Sequence, residues 1–183
     1  MKNPCAILRA ENAAILSILE VLEEICFLLR ADQEILRMDL VGIADFLERY
    51  SELFHNGKEN RHFYPALESA GLFVGNPEVR KLVDEHDVGK GFIEELKLVT
   101  AGSAFDKEEF ILHAEAYIEH MRLHIECEET LLLPLAEQGL SSDEQLRLVI
   151  EFEAWEKDGI GADAARDFGR LIQYFRQKYL RNS

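Results

Sequence analysis

Two histidine–glutamate pairs carry the most chemical information in this sequence. His55 is followed four residues later by Glu59, and His124 is followed four residues later by Glu128. Each pair has a proline and a further glutamate behind it: Pro65 and Glu68 after the first, Pro134 and Glu137 after the second. All four matches share one offset of 69 residues (55 to 124, 59 to 128, 65 to 134, 68 to 137). A looser echo lies upstream of each pair, in Glu11-Asn12 and Glu85-His86. Residues four apart lie one above the other on a helix face, so each pair presents an imidazole and a carboxylate together. Carboxylates that can bridge, with neutral imidazoles that can cap, are a donor set for first-row divalent or trivalent metal ions. Two buried carboxylates without a cation repel each other or take up protons.

These pairs need helices to position them, and the chain reads as helices. Asn3 and Pro4 make a helix start, with a side-chain cap followed by proline at the first position. Leu8, Asn12, Ile15, Leu19, Leu22, Cys26 and Leu29 then recur at steps of four and three, an amphipathic stripe with Asn12 as its polar intruder. Asp39 is the expected cap of a second helix whose stripe of Ile43, Leu47, Tyr50 and Phe54 runs into His55 and Glu59. Pro65 should end or kink that helix, and Gly71 should close it. Asn76-Pro77 opens a third helix with Val79, Leu82, His86, Gly89, Ile93 and Leu96 on one face. Asp106, with Glu109 as its capping partner, opens a fourth carrying Phe110, Ala114, Tyr117, Met121, His124, Glu128 and Leu131. Pro134 and Gly139 mark its end. Ser142 opens a fifth helix, Gly159 and Gly161 break it, and a last one runs through Phe168, Leu171, Ile172 and Phe175.

Two copies of a helical hairpin joined by short loops give an all-α, up-down-up-down four-helix bundle. The expected organisation is one domain over 1–183, with a core over about 4–138 and a helical C-terminal extension over about 142–181. A hydrophobic share of 48% excludes a disordered chain. Thirty-five acidic against 20 basic residues give a net charge of −15, a poor surface for nucleic acid or an anionic membrane. The longest apolar run near the N-terminus is far too short to span a bilayer. Three widely spaced cysteines, Cys5, Cys26 and Cys127, offer neither a disulfide framework nor a cysteine zinc site, and the expected location is the reducing cytoplasm.

The competing reading of the same residues is a buried hydrogen-bonded network with no metal. What favours metal is repetition, since the pair occurs twice at matched positions on core-facing stripes, with His86 inward on a third helix. Glu11 and His120 are further candidates for the site or its edge. His113, Cys127 and Glu85 fit solvated flanks or packing positions, while His62, three residues after Glu59, fits a place behind the ligands as well as a solvent-facing one. Gly89, beyond His86, leaves room for a small ligand.

Taken together, Glu11-Asn12, Phe54-His55-Asn56-Gly57-Lys58-Glu59, Tyr64-Pro65-Ala66-Leu67-Glu68, Glu85-His86, His124-Ile125-Glu126-Cys127-Glu128 and Leu133-Pro134 resemble the hemerythrin-like, HHE cation-binding domain family. The resemblance implies a non-haem di-iron site in a four-helix bundle, with His55, Glu59, His86, His124 and Glu128 as ligands and both glutamates bridging. It implies one or two iron ions, or another first-row divalent metal. The small ligand would be oxygen, peroxide or nitric oxide, in an oxygen- or redox-related binding, sensing or iron-handling role. A peroxidase- or oxidase-type enzyme and a metal-poor, partner-binding bundle are the alternatives. The sequence departs from the family at Asn12, where a histidine is usual, and at Asn56 and Asn60. Glu11, His120 or water would then have to stand in for the missing nitrogen.

Overall fold

In the computed structural model, residues 3–160 and 164–180 are described, and every regular element among them is helical. Gly161, expected to break the fifth helix, and position 181, the expected end of the extension, lie outside the described residues. No helix among them is long and apolar enough to cross a membrane.

Four antiparallel rods form the bundle. The first is α1 (Pro4–Arg30), started by Asn3, whose side chain accepts the Cys5 amide at 2.8 Å. All seven stripe positions from Leu8 to Leu29 are buried. The second rod begins with α2 (Arg37–Leu47), two residues before Asp39 and without a side-chain cap. Asp39 is instead buried and binds the Tyr179 hydroxyl and the Lys178 ammonium, tying the C-terminal helix down. The rod continues through π-helical stretches Glu48–Asn56 and Glu59–Phe63 into α3 (Tyr64–Ser69). The third rod is α4 (Pro77–Ala101). Asn76 precedes it but gives its side chain to the Leu72 carbonyl rather than to a cap. The fourth is α5 (Lys107–Cys127), capped by Asp106, then a π-helical Glu128–Leu132 and α6 (Leu133–Gly139).

Neither rod stops at its proline: α3 runs on to Ser69, just before Gly71, and α6 runs to Gly139, the two glycines expected to close them. A proline ring inside a helix lacks an N–H and collides with the carbonyl four residues back. Here the turn before each proline widens to the five-residue π closure: Tyr64 N–H donates to Glu59 O, and Leu133 N–H donates to Glu128 O. The two widened turns are themselves 69 residues apart, so the repeat extends to backbone geometry. Such insertions are common at functional sites.

Two further helices cover the bundle. α7 (Ser142–Trp155) starts from a reciprocal Ser141–Glu144 cap and places Leu148 and Phe152 against one end of the core. After a π-helical Glu156–Ile160, α8 (Ala164–Tyr179) packs along α1. It drives Phe168 edge-on into Phe46, Tyr50 and Phe54, at centroid distances of 5.8, 5.0 and 5.6 Å. Gly57 is required where the extension meets the second rod, because a Cβ there would lie 2.6 Å from the Trp155 ring.

The core is split in two. One apolar cluster contains Ile15 to Leu29 of α1, Ile43 to Phe54, Ile93, Leu96 and Phe110 to Ile125. The other contains Cys5, Leu8, Phe63, Leu67, Val79, Leu82, Leu132, Leu133 and Ala136. On every rod the gap between the clusters holds polar residues: Glu11 and Asn12, His55 and Glu59, His86, and His124 and Glu128. All of them are buried.

Candidate metal centre

Four rods each deliver part of this polar layer. Glu59, His86, His124 and Glu128 bring one potential ligand atom each to within 4.8 Å of one another. His86 Nε2 lies 3.2 Å from Glu59 Oε2, and His124 Nε2 lies 2.9 Å from Glu128 Oε1. His55 Nε2 stands at the edge of the group, 3.7 Å from Glu59 Oε2 and 4.0 Å from Glu128 Oε2.

Each imidazole is fixed from behind. His55 Nδ1 donates to Glu11 Oε2 at 3.1 Å, His86 Nδ1 to Asn60 Oδ1 at 3.0 Å, and His124 Nδ1 to Glu85 Oε2 at 3.0 Å. These bonds place the Nδ1 proton outward and turn Nε2 inward, as in histidines that ligate metals. Five of the inward atoms lack hydrogen-bond partners, whereas His86 Nε2 meets the Tyr64 hydroxyl and Glu128 Oε2 accepts from Asn12. His55 Nε2, His124 Nε2, both Glu59 oxygens and Glu128 Oε1 are all buried and unsatisfied. The 2.9 Å approach of His124 Nε2 to Glu128 Oε1 is close but wrongly angled for a hydrogen bond, so proximity alone does not satisfy either atom. Buried unsatisfied polar atoms are costly. A convergent set of imidazole nitrogens and carboxylate oxygens is chemically suited to a first-row cation.

The electrostatics carry the same stress. Burial alone would lower the affinity of His55 for a proton, but the carboxylates of Glu59, Glu11 and Glu128 outweigh it and raise its pKa to about 9. His124 likewise rises to about 9 against the effect of burial, through Glu128, Glu59 and Glu85. Burial, then the neighbouring charge of Glu128, pushes Glu59 up. Glu128 is carried well below the usual carboxylate range, because His124, His55 and His86 overcome its burial. In the field of these carboxylates, the imidazoles of His55 and His124 favour the protonated form when no cation is present.

The layer has an approximate twofold symmetry. Glu11 of α1 holds His55 on the next rod, and Glu85 of α4 holds His124 on the rod after it. Asn12 and His86 each cross to the glutamate of the other hairpin. His86 approaches Glu59, and Asn12 Nδ2 donates to Glu128 Oε2 at 2.9 Å. The 69-residue offset also pairs Asn60, behind His86, with Glu129, which accepts from Asn12 Nδ2 at 3.2 Å. Asn12 therefore stands where the other half has an imidazole, and its own Oδ1 is buried without a partner.

The other candidates take outer positions. Glu11 offers no oxygen to the four-residue group, because His55 and the Lys58 ammonium hold its carboxylate. His120 stacks on His124 with ring centroids 6.2 Å apart, and its Nε2 donates to the Glu85 carbonyl at 3.0 Å. It also fills the space expected at Gly89, where a Cβ would lie 3.4 Å from His120 Nε2. His62 faces Glu151 at 3.3 Å. Cys127 is half-buried and free. Sequence reasoning missed the outer roles of Glu85, Asn60 and Glu129, and the burial of Lys58. A signal for Lys58 was present, since the stripe Ile43, Leu47, Tyr50, Phe54 continues four residues on at position 58.

The family model described as the hemerythrin HHE cation binding domain matches residues 3–136, all four rods of the bundle. Neither a curated protein nor a solved structure matches the chain. The family match and the buried His–Glu group together point to cation binding.

Proposed function

The chain belongs to the hemerythrin HHE cation-binding domain family, and from that premise we propose that Glu59, His86, His124 and Glu128, with His55 beside them, hold a first-row metal cation, iron foremost. A cation held there supplies an electrophilic, redox-capable centre at which a small ligand such as oxygen, peroxide or nitric oxide binds. The function proposed is small-ligand binding or redox sensing, or iron handling, by a non-haem centre.

The observation that carries this reading is the orientation of the imidazoles. All three Nδ1 atoms are engaged outward, and His55 Nε2, His124 Nε2 and both Glu59 oxygens meet in a buried space with no hydrogen-bond partner. A purely structural polar network would pair those atoms with one another. The remaining side chains play supporting roles. Glu11, Asn60 and Glu85 hold the ring tautomers. The two apolar clusters above and below the layer exclude bulk water. The Tyr64 hydroxyl, 3.5 Å from His86 Nε2, keeps a proton donor at the rim of the group.

The test is metal content per chain after anaerobic loading with ferrous iron and desalting, with the optical spectrum recorded before and after adding oxygen, peroxide or nitric oxide. Retained iron and a ligand-dependent spectrum are expected. A chain that retains no iron, zinc or manganese refutes the cation site. Retained iron with no spectral response to any of the three ligands refutes the small-ligand role.

A further inference from the structure

Lys58 breaks the symmetry of the layer. It is fully buried, while the residue 69 positions later is the half-buried Cys127. Its ammonium is bound by the Glu11 carboxylate and, at 2.6 Å, by Glu156 of the C-terminal extension. It also lies 3.7 Å from the centroid of the Phe54 ring. Burying an ammonium is strongly unfavourable unless it is paired, so its position is significant. It sits behind the His55 half of the layer, the half that has Asn12 in place of an imidazole. Among the described residues the other half has both imidazoles and no buried ammonium, and its outer carboxylate, Glu85, is met by the solvent-exposed Lys81 at 3.3 Å.

The charges complete the argument. Three carboxylates of the layer are buried, Glu11, Glu59 and Glu128, and one ammonium, Lys58, is buried with them. Among these buried groups the excess is two negative charges, which one divalent cation neutralises; Glu156, about one-third exposed, is left out because solvent screens its charge. A second divalent ion would leave a positive excess in a low-dielectric interior, next to an ammonium that cannot leave.

We propose that Lys58 is a built-in cation that supplies, on the Asn12 side of the layer, the positive charge a second metal ion would otherwise bring, so that one divalent ion per chain fills the centre. This inference rests on the cation site proposed above. Lys58 acts through Glu11 and the local field and touches no ligand of the ion directly, so it is a positioning residue. Glu156 makes the C-terminal extension part of that arrangement.

Zinc, which is redox-inert, is the probe. Titration of the wild-type protein against a chromophoric chelator should saturate at one zinc per chain. Asn12→His supplies a nitrogen on the short side, and a second zinc should then bind weakly. Adding Lys58→Met in that background should tighten the second zinc by about tenfold or more, the scale of one charge acting over several ångströms in an effective dielectric of about 20. Adding Glu156→Gln instead should weaken it, because a negative charge is lost while Lys58 stays. Opposite signs from the two variants are what a merely structural role would not produce. If Lys58→Met does not fold, the Glu156→Gln arm decides, since that side chain is about one-third exposed. Two equal zinc ions in the wild type, or second-zinc affinity that is unmoved or weakened by Lys58→Met or is not weakened by Glu156→Gln, overturns the proposal. A protein that binds no zinc, wild-type or variant, overturns the cation site itself and this inference with it.

Discussion

Replacing Asn12 by histidine tests the symmetry of the layer most directly. In the other half, His86 has Nδ1 on Asn60 at 3.0 Å and Nε2 at 3.2 Å from Glu59. On the Asn12 side the matching partners are already in place, because the amide donates to Glu128 at 2.9 Å and to Glu129 at 3.2 Å. An imidazole at position 12 would find Glu129 for its outer nitrogen and Glu128 for its inner one. Without metal the change is unfavourable. It removes an amide hydrogen bond to a carboxylate, a loss of about 1.5–3 kcal/mol that the new ring partly restores. It also adds volume to a packed layer, at about 1–3 kcal/mol. A net loss of about 2 kcal/mol lowers the melting temperature by about 4–8 °C in a domain of this size. Saturating metal works the other way, adding about 2.7 kcal/mol per extra site at a hundredfold excess over its dissociation constant. The expected signature is therefore a lower melting temperature in chelator, a wider gap between metal-free and metal-loaded protein than in the wild type, and more than one ion per chain at excess metal. Calorimetry with and without zinc, and metal analysis at rising zinc, read all three. Unchanged stoichiometry and an unchanged gap would refute the equivalence of positions 12 and 86.

The remaining predictions concern the residues that are already complete. His124→Ala should cut metal retention sharply, because it removes one of two imidazoles in the four-residue group; retention equal to wild type would exclude His124 as a ligand. Glu85→Gln should weaken metal binding about 10–100-fold while leaving the circular dichroism spectrum intact, since only the partner behind His124 changes. The pH dependence follows from His55 and His124, both raised to about 9 in the metal-free protein. A raised folded-state pKa contributes stability that is fully present below about 6.5 and is lost as pH rises through about 9. Melting temperature in chelator should thus fall across that window. Metal affinity should rise across it, as up to two protons are displaced per ion. Affinity that is flat between about pH 6.5 and 9 would show that these imidazoles carry no proton to displace.

Much of the fold is legible in the sequence because each rod states its buried face in apolar spacing. Asn12, His86 and the His–Glu pairs stand out as polar interruptions of those stripes, and all lie at one level because each interruption separates the same two apolar clusters. The outer partners are harder to see. Glu11 and Glu85 sit one position off the stripe, where a solvated flank and a carboxylate turned inward look alike until the neighbouring rod is placed. Lys58 reads as a surface cation, because lysine so seldom occupies a core position without a partner, and its partner Glu156 is 98 residues away. The two prolines do not stop the rods themselves, for a backbone reason. Their usual effect on a helix is absorbed by a π-helical turn, and spacing alone carries no mark of that turn. Asp39 misleads, since its partners Lys178 and Tyr179 are at the far end of the chain.

The crossing of partners between hairpins bears on how the chain reaches its native state. Asn12 leans on Glu128 and His86 on Glu59, so neither hairpin alone holds a complete donor set. The grip on an ion appears only when the two hairpins have docked and the layer has closed. A cation so held stabilises the finished molecule and not the partly assembled one that precedes docking. Interactions absent from the transition state slow unfolding and leave the folding rate nearly untouched. If docking of the two hairpins follows the rate-limiting step, a bound cation would act as a late latch, lengthening the lifetime of the docked bundle without hastening its assembly. The ion can leave only when the two halves part or the layer opens around it.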